Sequence, residues 1–240
     1  MSQRSWTTAR LLFALVVACL GLEVATSRTA QAQLRSPHFE NWGDLPPGEV
    51  GRRQIGRGGP LRGYFQPVEV SAPEGAHVSL LVEGRFHNFE TSSALVGLLI
   101  GDVYKVRITR IPGRAGFEVY PSIEIIDRLY PPQGLEDRFP IPVVVTQDDL
   151  DRAVAGEFVV RVVYLEDPSI AMPIPQRDGE QRSIDINGSD DPLVAADQLG
   201  RPMAIVRIGS RVPDEALGGG PGWSPPLQLL KAPEPSDSDQ

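Results

Sequence analysis

Residues 118–132 read EVYPSIEIIDRLYPP: two glutamates in one apolar run, a proline between them, and an Asp-Arg pair after them. The run is rich in Val, Ile and Tyr and ends in turn residues, so it reads as a strand. Glu118 and Glu124 differ by an even number of positions and therefore point to the same face. At the rise of a strand they lie roughly 20 Å apart. Glycosidase carboxylate pairs sit about 5 to 9.5 Å apart, so these two do not form such a pair with each other. Pro121 has no N–H to give to a ladder and marks an edge position or a bulge. Asp127 and Arg128 fall where the strand gives way to a Tyr-Pro-Pro turn. The stretch is expected to be a strand near a sheet edge. The competing reading is a bulge beside a functional site, where bulges collect.

Seven other runs resemble it: GYFQPVEV, HVSLLVEG, LVGLLIG, VYKVRITRI, FPIPVVV, FVVRVVYL and MAIVRIG. All are short, rich in Val, Ile and aromatics, and separated by Gly, Pro, Asp and Asn. Such spacing predicts a sandwich or barrel of antiparallel sheets. Two short helices interrupt them. In VTQDDLDRAVAGE, Thr146 is the N-cap, Val145 and Leu150 form a hydrophobic staple, and Gly156 is the stop. In SDDPLVAADQLGRP, Asp191 caps, Pro192 takes the first helical position, and Gly200 ends the helix. The expected class is mainly β, an antiparallel β-sandwich with two short helices.

Leu150, Ala153, Gly156 and Phe158, followed by VVRVVYL, resemble the corner before strand F of immunoglobulin-like domains. Phe158 stands in the place of the usual tyrosine, and the partner cysteines are missing. The resemblance implies an immunoglobulin-like sandwich and no particular function. More widely, PLRGYFQPVEV, VGLLIGDVYKVRITRIP, EVYPSIEIIDRLYPP, FPIPVVVTQDDL, VVYLEDP and DPLVAADQLGRPMAIVRIGSRVPD resemble an uncharacterised exported protein family of planctomycete-type bacteria. That resemblance implies export and a single domain, and carries over no catalytic residue.

The N-terminus has the pattern of a secretory signal peptide over residues 1–32. Arg4 and Arg10 precede the apolar run Leu11–Leu22, and Ala30-Gln31-Ala32 is a small-x-small cleavage site. The run is shorter than the about 20 residues that span a bilayer. The alternative is cleavage before Cys19, within Val16-Val17-Ala18-Cys19, leaving a lipid anchor on the membrane surface. Cys19 is the only cysteine. A mature chain without it has no disulfide, thiol nucleophile or thiolate metal site. Residues 33–62, rich in Gly, Pro and Arg, are expected to be a linker. Residues 63–214 are expected to form the β-sandwich, and 215–240 a disordered Gly, Pro and acidic tail.

The net charge is −8, which argues against nucleic acid, whose affinity comes from Lys and Arg neutralising phosphates. Basic charge is nearly all arginine, with lysine only at 105 and 231. Arg107, Arg161 and Arg207 lie inside strands. With Glu118 and Glu124 they are expected to form cross-strand charge pairs on an exposed face, each contributing roughly 0.2–1 kcal/mol. The functional alternative is an anion-binding sheet face, which requires the three strands to be neighbours.

His38, His77 and His87 form no paired-histidine motif, so no catalytic metal site is expected. DINGSDD, residues 185–191, has its glycine at the wrong position for a calcium loop and Ala196 where a glutamate is needed. It is read as a turn and a helix cap. No nucleophile elbow or phosphate loop is present, and no cofactor is expected. Trp42 and Trp223 lie in the flanks. Tyr104, Tyr120, Tyr130 and Tyr164 are the residues from which a sugar-binding platform would be built. The expectation is an exported, non-catalytic envelope protein, secreted or periplasmic, that binds an envelope protein or glycan. The alternatives are a carbohydrate-binding module, and a hydrolase in which carboxylates converge on His77 or His87.

Overall fold

The computed structural model describes residues 45–60, 62–89, 91–171, 183–209 and 224–230. Residues 1–32, expected to be a signal peptide and holding Cys19, lie outside them, as do His38, Trp42 and Trp223. The described chain is mainly β, with ten strands in two sheets that sandwich one core. The strands are β1 Phe65–Ser71, β2 His77–Val82, β3 Arg85–Asn88, β4 Ser93–Leu99, β5 Val103–Thr109, β6 Ser122–Ile125, β7 Ile141–Val144, β8 Val159–Glu166, β9 Gly200–Ile208 and β10 Leu227–Leu229. The four-stranded sheet runs β10-β4-β1-β7 and the six-stranded sheet β3-β2-β5-β6-β9-β8. All pairings are antiparallel except that of β1 with β7.

The core follows from period-2 alternation. Val68, Val70, Val96, Leu98, Ile141 and Val143 of the smaller sheet are buried against Val78, Leu80, Val106, Ile108, Ile123 and Val206 of the larger. A second cluster lies on the opposite face of the larger sheet, where Ile205 meets Val50, Ile126 and Leu193.

The order of the six-stranded sheet corrects the edge expectation for residues 118–132. β6 is interior, hydrogen-bonded to β5 on one side and β9 on the other. Pro121 is tolerated because it precedes the strand proper and its carbonyl still accepts from the Val106 N–H, 2.8 Å away. The register of the Ile108–Val119 bridge continues into the β5–β6 ladder, so no bulge intervenes. Nor does the sheet order spell immunoglobulin connectivity. There strand F is central, whereas β8, the strand after the Phe158 corner, is an outer strand next to β9 alone.

Among the described residues there are three α-helices rather than two: α1 Glu49–Gly56, α2 Gln147–Val154 and α3 Pro192–Leu199. α2 forms the expected capping box, with Thr146 and Asp149 satisfying each other's backbone N–H. Asp191 caps α3 through the N–H groups of Leu193 and Val194. Gly200 does not stop α3 by a left-handed turn, since its φ is 178°. A Cβ there would stand 2.1 Å from the Leu165 carbonyl oxygen, so glycine permits β9 to approach β8.

α1 lies inside the stretch expected to be a linker. Its N-cap, Gly48, has φ 86° and no side chain to offer. Tertiary contacts hold it instead. Gly51 packs on Gly101 so closely that a Cβ would stand 2.7 Å from the Gly101 Cα. The tail expected to be disordered likewise supplies β10, which pairs with β4.

Tyr104 fixes β10 from the core. Its buried hydroxyl accepts from the Leu99 N–H and donates to the Pro226 carbonyl, both at 2.8 Å. Burial pushes its pKa upward from the usual value for a phenol. The unfolded phenol ionises near pH 10. This group's stabilisation is therefore complete below about pH 10 and is lost as pH climbs toward the raised folded pKa. Tyr104→Phe is expected to cost about 1 kcal/mol at pH 7. It should also flatten the fall of the urea midpoint above about pH 10. An unchanged alkaline slope would show that the phenol does not sit where burial raises its pKa.

Candidate functional site

The outer face of the six-stranded sheet, turned away from the smaller sheet, has two unlike halves. One half is roofed by α1 and α3. Beneath the roof, Glu124 on β6 is fully buried and Arg207 on β9 is 7% exposed. Arg207 Nη1 donates to Glu124 Oε2 at 2.9 Å, and the Gly51 N–H, in the first turn of α1, donates to Oε1 at 2.9 Å. Arg207 Nη2 also donates to the Leu45 carbonyl at 3.4 Å. Glu124 thus does for α1 what the side chain of an N-cap residue ordinarily does, from a strand far along the chain.

This arrangement corrects the expectation of charge pairs on an exposed face. Only Glu124 and Arg207 pair with each other, and they do so in the interior because α1 covers them. Arg161 pairs directly with Val206, a core residue, so its side chain leaves β8 on the inner side of the sheet, opposite to Arg207. There its Nε donates to Asp149 of α2 at 2.6 Å, and Asp149 is fully buried. β5, which carries Arg107, is separated from β9 by β6. The three arginines therefore do not share an anion-binding face.

The other half of the outer face is open. Arg107 on β5 lies with its guanidinium carbon 4.7 Å from the centre of the Phe86 ring of β3. Its Nη2 donates to Asn88 Oδ1 at 3.2 Å, and its Nε is buried without a hydrogen-bond partner. Tyr120, one step beyond the Ile108–Val119 bridge, faces Phe86 at a centroid distance of 6.2 Å. Its hydroxyl donates to Glu118, and that bond, with burial, raises the phenol pKa. Glu118 is exposed and about one strand length from the buried Glu124.

Beyond Tyr120 the same row crosses Gly209 and reaches Phe158. The Tyr120 N–H donates to the Gly209 carbonyl at 2.9 Å. Phe158 is 67% exposed, and its Cδ2 lies 3.7 Å from where a Gly209 Cβ would stand. Tyr120 and Phe158 are thus two walls with a glycine floor between them. Of the tyrosines considered for a platform, only Tyr120 takes part. Tyr104 is in the core, and Tyr164 is in β8.

A second surface feature forms at the far end of β6. The Arg128 guanidinium lies 4.0 Å from the Tyr64 ring and 4.6 Å from the Tyr130 ring. Arg201 lies over Tyr130 at 5.6 Å and pairs with Asp127 at 3.3 Å. Asp127 Oδ1 in turn accepts from the Arg128 N–H at 2.7 Å. The IDRLYPP turn is thereby fixed as a ladder of alternating arginines and tyrosines.

His77 meets Arg110 at 3.5 Å, and His87 stands edge-on to Phe89. Among the described residues no group of three or more His, Cys, Asp or Glu side chains is placed to hold a metal ion. Asp185 to Asp191 forms the expected turn, closed by the Asp190 N–H on the Asn187 carbonyl. Among the described residues no helix is long and apolar enough to cross a membrane. No protein-family model, curated protein or solved structure matches the chain.

Proposed function

We propose that this chain is an exported, non-catalytic binding module of the bacterial cell envelope, and that it binds through the open half of its six-stranded sheet. The observation that carries the reading is the contrast between the two halves of that face. One is sealed by two helices over a buried ion pair. The other presents Arg107 stacked on Phe86, with Tyr120 beside it. Partly exposed aromatic and arginine side chains on a rigid sheet are the residue types that dominate recognition surfaces.

Export supports the same reading. The residue 1–32 pattern directs the chain out of the cytoplasm, with Gln33 as the mature N-terminus and lipidation at Cys19 as the alternative route. The resemblance to exported proteins of planctomycete-type bacteria agrees with it.

The test is capture from solubilised envelope on the immobilised full chain, beside an Arg107→Glu, Tyr120→Ala variant. The expected result is a reproducible protein or glycan ligand retained by the native chain and lost from the variant. Identical retention by both would remove the open face from the proposal. An empty eluate from the native chain would overturn the binding reading altogether.

A further inference from the structure

We infer that the trough walled by Tyr120 and Phe158 is a glycan-binding site, and that its ligand is an acidic, carboxylate-bearing polysaccharide strand. The inference rests on the reading of the chain as a binding module and names the ligand of that face.

The walls stand just before β6 and just before β8, two strand spacings apart with the end of β9 between them, or about 10 Å. At the floor Gly209 contributes no side chain, and among the described residues a Cβ there would meet only Phe158. Phe158 is one of the most exposed apolar side chains among the described residues, at 67%. Neighbouring strands fix its backbone, since Val159 pairs with Ile208 in the β8–β9 ladder. A large rigid aromatic held at that exposure beside a glycine suits the flat apolar face of a sugar ring. Its polar surroundings suit the hydroxyl groups at the ring edge. Glu118 accepts, the Tyr120 hydroxyl donates and accepts, and Arg107 donates.

Charge selects among glycans. The chain carries net charge −8, so an acidic polymer is repelled over most of the surface. Along this row the sign reverses. Lys105 and Arg107 project outward from β5 and Arg110 follows at its end, against the carboxylate of Glu118; Glu157, beside Phe158, is paired with Arg152. An acidic strand therefore finds a favourable register across Arg107, whose positive charge pairs with a carboxylate. A neutral glucan gains the stacking and not the ion pair.

The test is affinity electrophoresis of the full chain in gels containing polygalacturonate or, separately, neutral hydroxyethylcellulose. Expected is strong retardation by polygalacturonate, weakened by salt, and little by the neutral polymer. Phe158→Ala and Arg107→Gln should each weaken it about tenfold. Circular dichroism and urea midpoints would confirm that both variants fold, and Arg128→Gln, at the remote arginine–tyrosine ladder, should retain full retardation. Equal retardation by both polymers, unaffected by Arg107→Gln, would overturn the acidic assignment. Absence of retardation by either would overturn the glycan site. Should envelope capture then still return a protein ligand that depends on Arg107, the binding-module reading would stand while this inference fell.

Discussion

Arg207→Ala is expected to destabilise the fold by about 3–5 kcal/mol, because it leaves the Glu124 carboxylate charged, fully buried and without its cation. The Gly51 N–H remains as a donor, but one neutral amide does not replace a guanidinium in a medium that water does not reach. Urea unfolding would show a lower midpoint. Amide exchange would show lost protection in α1 first, because Glu124 is the group that joins that helix to the sheet. The paired replacement Glu124→Leu, Arg207→Met should recover most of the loss, since a buried ion pair is often no better than apolar side chains of similar volume. A single substitution costing under about 1 kcal/mol would mean that water reaches the pair, as at exposed ion pairs.

The second large effect belongs to Asp149. Its two carboxylate oxygens serve different masters. Oδ2 accepts from the backbone N–H and the hydroxyl of Thr146, at 3.0 and 2.9 Å, closing the start of α2. Oδ1 takes the Arg161 guanidinium. Asp149→Ala is expected to cost about 2–4 kcal/mol, combining a lost cap with an arginine deprived of its partner. Arg161 is 24% exposed at its side chain and can turn partly to water, which keeps the figure below that for Arg207. Thr146→Ala should cost only about 1 kcal/mol. The difference between the two, read from urea midpoints, isolates the ion pair. Equal costs would show that Arg161 contributes nothing.

The eight apolar runs of the sequence all became strands or parts of strands, because alternation with Val and Ile is a local property that burial on one face imposes. What escaped was held by partners distant in the chain. PPGEVGRRQIG has a poor local case for a helix, with glycine at the cap and again at position 51. It folds because Glu124 and Gly101 are waiting for it. β3, RFHN, is largely exposed and shows no apolar alternation, and β10 is three residues in a Pro-rich stretch.

The same limit explains the site. Glu124 and Arg207 stand among the five charged strand residues expected to pair, but which two pair, and their burial under α1, depend on strand order and on a helix from elsewhere in the chain. Phe158 drew attention as a substitute for a corner tyrosine rather than as an exposed wall. The run FVVRVVYL is apolar on both faces, so its alternation does not say which residue faces outward. Phe86 lies among polar neighbours and reads as loop. Tyr120 was named for a platform, yet its companions were phenylalanines on strands whose order no single run reveals.

The β1–β7 pairing joins Val68 to Ile141, and the β4–β10 pairing joins Leu98 to Leu227. The four-stranded sheet cannot be completed until residues 227–229 are present, and each of these closures spends the entropy of a long loop before it gains any contact. Folding of such a topology is slow, on the order of milliseconds to seconds. On the proposed export route, that delay would keep the chain a pliable strand until its last residues had crossed the membrane.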